Sequence, residues 1–139
     1  IALGRALSDE RGVFAYVLNK EQLLSDGEHI FSAFCGNSAL ELHPISFRID
    51  TTDPKIPVIS LPDPGSCVKS PVSVSGTAEP YTEVLIFIDN AEESELTYAD
   101  EKGEWGMYIS LEPGDHSIEV SARDCAGNQG KLSPDVEFF

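Results

Sequence analysis

Three cysteines, three histidines and 24 acidic side chains are the groups in this chain with the means to do chemistry. Cys35, Cys67 and Cys125 have no base beside them in sequence, so nothing there would activate a thiolate nucleophile. His29 and His116 each follow a glycine and an acidic residue, and His43 precedes Pro44. Two histidines in separate segments do not make the tetrahedral set that zinc needs, so they read as strand or turn residues. The acidic set is more suggestive. Asp50 and Asp53 share a proline-containing stretch, and Asp124 and Asn128 share a turn. Oxygen ligands from these four could hold Ca2+, which takes six to eight oxygens; a solvated linker and a turn ordered by its own aspartate are the plainer account. Tyr81, Tyr98 and Tyr108 could form a sugar-stacking platform if two shared an exposed face, and otherwise belong to the half-buried core. Glu92-Glu93-Ser94-Glu95 reads as a solvated hairpin tip.

No Gly-x-Ser-x-Gly, His-Glu-x-x-His or phosphate-binding glycine loop occurs. Counting carboxylates does not exclude a glycosidase pair, but a small sandwich without a long loop offers little concave surface. We therefore expect no enzymatic activity. Nine Lys and Arg against 24 Asp and Glu leave a formal charge of −15. Such a chain repels phosphate backbones and anionic lipid, which argues against nucleic-acid partners and membrane attachment. The longest apolar run, about five residues at 84–88, is far too short for a membrane-spanning helix.

The elements that must position these groups come from an internal repeat. Asp9-Glu10-Arg11-Gly12-Val13-Phe14 resembles Asp100-Glu101-Lys102-Gly103-Glu104-Trp105 at an offset of 91. Gly36-Asn37 matches Gly127-Asn128, and Ile45 and Phe47 match Val136 and Phe138, at the same offset. Gly27-Glu28-His29 matches Gly114-Asp115-His116 at an offset of 87. The full unit then runs over 51–139, and residues 1–50 match only its second half. The boundary at 50–57 contains Pro54 and Pro57 and should be an extended, stiff linker.

Within the second unit, short runs alternate with turn residues. Strands are expected near 56–60, 72–75, 84–89, 95–99, 105–110, 116–123 and 135–139. Residues 19–24 are the best helix candidate, yet they lack a cap or sustained period and read as a loop. Seven short strands without a helix favour an all-β, immunoglobulin-like β-sandwich. One complete domain would be preceded by the C-terminal half of a second copy. Trp105, the only tryptophan, should fill the space between the sheets with Ile118 and Val120. The half copy should leave Val13, Tyr16, Leu18, Ile30, Phe31 and Phe34 in need of a partner surface, with an upstream segment the favoured source. Cys35 and Cys125 flank equivalent turns, which suggests one disulfide per repeat, Cys67–Cys125 in the second. The topology of a simple sandwich opposes that pairing, and free thiols are the alternative.

Val74-Ser75-Gly76-Thr77-Ala78-Glu79-Pro80, the strand at 84–89, the Asp100-to-Trp105 turn, Pro113-Gly114-Asp115-His116 and Arg123-Asp124-Cys125-Ala126-Gly127-Asn128 carry a family likeness. Together they resemble bacterial immunoglobulin-like repeats of surface adhesins and other exported multidomain proteins. The resemblance covers 54–139 and, as a partial copy, about 7–50. It implies a structural or adhesive module outside the cell or at its surface, with the periplasm also open, whose partners are neighbouring repeats. A glycan- or protein-ligand-binding module, or an accessory domain of a secreted enzyme, is the alternative. Asp53 and the cysteines depart from the usual pattern of such repeats.

Overall fold

The computed structural model describes residues 3–19, 23–34, 36, 43–91 and 94–139. Cys35, Asn37, Glu92, Glu93 and the middle of the 19–24 loop lie outside the described residues. The chain separates into two compact units, Ile1–Asp50 and Thr51–Phe139. Among the described residues every regular element is a strand.

The second unit holds seven strands: β3 (Val58–Leu61), β4 (Val72–Thr77), β5 (Glu83–Ile88), β6 (Glu95–Tyr98), β7 (Glu104–Ile109), β8 (His116–Arg123) and β9 (Val136–Phe138). They form two antiparallel sheets, of order β3-β4-β7 and β6-β5-β8-β9. The first strand begins at Val58 rather than at Ile56. Pro57 has no N–H to give a ladder, so pairing starts after it. Pro54 and Pro57 are both buried. From Pro54 onward, therefore, the linker is packed on the second unit.

Alternation puts one apolar face of each sheet inward. Val72, Val74, Trp105 and Ile109 of the three-stranded sheet share one buried cluster with Val84, Ile86, Ile118, Val120 and Phe138 of the other. Trp105 is 4% exposed. Its Nε1 has no hydrogen-bond partner among the described residues, so packing is what holds the ring. Close approach over the indole depends on Gly76, which pairs with Trp105 on one side and Ile59 on the other. A Cβ there would lie 1.9 Å from the Val58 carbonyl oxygen.

In the first unit β1 (Gly27–Phe31) and β2 (Ile45–Ile49) pair antiparallel, with His29 opposite Phe47 and Phe31 opposite Ile45. The second unit repeats this arrangement in β8 and β9, where His116 lies opposite Phe138 and Ile118 opposite Val136. The likeness extends to detail. His29 Nε2 bonds the Ser25 carbonyl at 2.7 Å, and His116 Nε2 bonds that of Glu112 at 2.8 Å, each four residues back. The His29 ring meets Phe47 at 5.8 Å, and the His116 ring meets Phe138 at 6.0 Å, both tilted by similar angles. Residues 13–18, which correspond in sequence to β7, form no strand. The ladder partner of β7 is β4, and among the described residues of the first unit the only paired strands are β1 and β2.

Candidate functional site

Three turns of the chain share one construction. In Asp9, Asp100 and Asp124 the carboxylate Oδ1 accepts the backbone N–H groups two and four residues ahead, at 2.8–2.9 Å. The aspartate carbonyl accepts the N–H of the third residue, which is Gly12, Gly103 or Gly127. Those glycines have φ of 78°, 81° and 91°, where a side chain is disfavoured. A short carboxylate thus saturates the donors of a tight reversal.

This construction determines what Asp124 and Asn128 do. Besides its two backbone bonds, Asp124 accepts the Asn128 side-chain amide at Oδ2, 2.9 Å away. The Asn128 amide, aided by the backbone N–H groups of Asn128, Ala126 and Gly127, holds the Asp124 carboxyl below its ordinary range against the opposing effect of desolvation. Both carboxylate oxygens already serve internal donors. Asp53 is exposed in the linker, while Asp50 belongs to the first unit. Among the described residues no group of three or more His, Cys, Asp or Glu side chains could hold a metal ion. The structure brings Asp124 and Asn128 together in one turn, where both carboxylate oxygens accept donors of that turn.

The two thiols are free and exposed, which corrects the Cys67–Cys125 disulfide. Phe139 N donates to the Ser66 carbonyl and its own carbonyl accepts the Val68 N–H, so Cys67 sits beside the end of β9. Phe138 is opposite His116 at the start of β8. Cys125 follows the far end of that strand. At about 3.3 Å per residue the length of β8 separates them by roughly 23 Å, against the roughly 7 Å a disulfide tolerates.

His116 is locked from both sides. Its Nδ1 faces Asp89 Oδ2 at 2.8 Å while Nε2 faces the Glu112 carbonyl. With an acceptor at each nitrogen the ring favours the doubly protonated form. The Glu112 carbonyl first, and then the Asp89 carboxylate, raise its pKa above the ordinary value. Asp89 sits at the left-handed turn after β5, with φ of 52°, and its Oδ1 accepts the Ser117 N–H at 2.9 Å. Burial pushes the Asp89 carboxyl up, but the Ser117 N–H and the His116 ring together carry it below its usual value. A histidine so occupied ties β5 to β8 and leaves no nitrogen to act as a general base.

An open concavity of about 610 Å3 lies at the other end of the same sheet. Tyr98, Glu83 and Arg123 are direct cross-strand neighbours on β6, β5 and β8, so they form one row on the outer face. Arg123 Nε donates to Glu83 Oε2 at 2.5 Å, leaving the terminal guanidinium nitrogens without a partner among the described residues. Tyr81 and the 124–127 turn complete the wall. Tyr81 has φ of 65°, in the region rare for a bulky residue, and is 73% exposed; Tyr98 is 60% exposed. Tyr108 is also exposed but lies on β7 in the other sheet. Two of the three tyrosines proposed as a platform therefore share one face. The contribution of Glu83 and Arg123 had no sequence signal, because these residues are paired across 40 positions.

No family model matches the chain, and no curated protein matches it.

Proposed function

We propose that the chain is a non-catalytic structural or adhesive segment of an exported bacterial surface protein, acting as a spacer or stalk of immunoglobulin-like repeats. The observation that carries this reading is the recurrence of one set of local devices in both units: the Asp-x-x-Gly turn, the histidine bonded four residues back, and its cross-strand phenylalanine. Duplication of a unit around a short linker is how length is built from compact domains. The division of strands between sheets, with β3, β4 and β7 opposed to β6, β5, β8 and β9, supports the immunoglobulin-like assignment, since the chain crosses between layers at β4–β5, β6–β7 and β7–β8. An extracellular or cell-surface setting, or the periplasm, and neighbouring repeats as partners follow from the same reading. The test is mechanical. Pulled from its ends, the second unit should unfold in one discrete step that releases roughly 270 Å, at about 3.4 Å per residue less the folded span. Gradual extension without a step counts against a stalk.

A second reading is favoured by the concavity. Exposed Tyr81 and Tyr98 over an Arg123–Glu83 pair combine stacking faces with polar groups, the composition of a glycan- or peptide-binding surface. Glycan-array binding abolished by Tyr81→Ala and by Tyr98→Ala, with melting unchanged, would transfer the role from spacer to ligand-binding module. The same site would serve an accessory domain of a secreted enzyme.

A further inference from the structure

The repeated geometry indicates what the first unit lacks. Its inward-equivalent residues are open: Phe47 is 40% exposed where Phe138 is 1%, and Phe14 is 42% exposed where Trp105 is 4%. Ile45, opposite Phe31, is 63% exposed. In the second unit the matching face is covered by β3 and β4, and the edge of β8 away from β9 is taken by β5. Among the described residues β1 has only β2 as a neighbour. The register agrees residue by residue, so Ile30 stands where Ser117 stands. Ser117 directs both backbone groups at Asp89: its carbonyl accepts the Asp89 N–H, and its N–H reaches the Asp89 carboxylate. Ile30 therefore presents the same donor and acceptor at the open edge. His29 has its Nε2 bond in place, but no described carboxylate stands at Nδ1 as Asp89 stands at His116.

We propose that the β1 edge and the Phe31, Ile45 and Phe47 face form a docking groove for polypeptide of this same repeat, carrying strands patterned like residues 56–98. The strand equivalent to β5 adds antiparallel to β1, and the acidic residue that ends it bonds both Ile30 and His29. Three features select this occupant over a second copy of the chain. The groove is apolar with hydrogen-bonding backbone at its rim, which suits strand addition. Its register is already that of β8. Among the described residues no carboxylate meets His29 Nδ1, and that position calls for one at the end of the incoming strand. The proposal rests on the two units being copies of one fold and not on the spacer role, so the two can fail separately.

The test compares the full chain with a version carrying a second copy of residues 51–97 joined ahead of Leu7. Amide exchange at Ile30 should slow by on the order of 100-fold in the extended version, as expected for an amide drawn into a cooperative sheet. Asp89→Ala in the added copy alone should return the Ile30 amide toward fast exchange while most other protection stays, because the carboxylate is its acceptor. Equal exchange at Gly27–Phe31 in both proteins, with the second unit folded as internal reference, overturns the proposal. So does concentration-dependent protection of those amides in the unextended chain, which would assign the groove to a second copy. Force-extension results leave both outcomes unaffected.

Discussion

Replacing Gly76 with alanine probes the packing at Trp105 most directly. The new Cβ would stand 1.9 Å from the Val58 carbonyl oxygen and 2.7 Å from Cζ2 of the indole. Neither neighbour can swing aside: one is backbone, and the other is a ring 4% exposed. Restoring ordinary contact needs β3 to shift by about 1.5 Å. That shift breaks part of the β3–β4 pairing as well as overfilling the core. Overpacking alone costs about 1–3 kcal/mol, and with the ladder disturbed we expect about 3 kcal/mol. For a domain of this size that lowers Tm by about 12–24 °C. Gly106→Ala is the control, because its Cβ would meet Ser75 Cβ at 3.3 Å and the Val74 carbonyl oxygen at 3.4 Å, which small adjustments relieve. It should cost less than about 1 kcal/mol. Trp105 is the only tryptophan, so its fluorescence during thermal melts reports on the second unit alone. A Gly76→Ala protein melting within two degrees of the parent, or a Gly106→Ala protein just as damaged, would refute the packing argument.

The His116 pKa is raised on folding, so its stabilisation is complete below about pH 6.5 and is lost as pH climbs through the raised value. Asp89 is lowered, so its share holds above about pH 3.9 and is lost in stronger acid. Tm measured against pH should therefore fall more steeply above about pH 6.5 in the parent than in His116→Asn. Cys67 and Cys125 should react with a thiol reagent in the native state, and Cys67→Ser should leave urea melting within about 0.5 kcal/mol of the parent; a loss of several kcal/mol would reinstate a bridge. Asp124→Ala should lower Tm equally with millimolar Ca2+ and with chelator, since the carboxylate serves the turn; a shift seen only with calcium would reverse that assignment.

The sandwich was legible in the sequence because its strands alternate cleanly. Ile118, Val120 and Ala122 announce one face of β8, and all three are fully buried. Trp105 was identifiable as an anchor because a lone indole among short strands has few other places to go. Two kinds of feature were not legible. The first is partnership across long separations: nothing near His116 points to Asp89, 27 residues earlier, and nothing near Arg123 points to Glu83. The second is the fate of a segment that has the pattern of a strand but no ladder partner among the described residues. Residues 13–18 match β7 in pattern, yet pattern supplies no ladder, and they form no strand. The aspartate turns lie between these cases. Their recurrence was plain, but that Asp124 spends both oxygens on donors of its own loop emerged only with the hydrogen bonds.

Because each Asp-x-x-Gly corner fastens itself with bonds made inside five consecutive residues, it asks nothing of the strands on either side. Flanking segments can drift in composition or lengthen, as the four-residue slippage between the two offsets illustrates, while the bend keeps its shape. A protein lengthened by copying itself gains from such autonomy, since every new copy arrives with its corners already stitched.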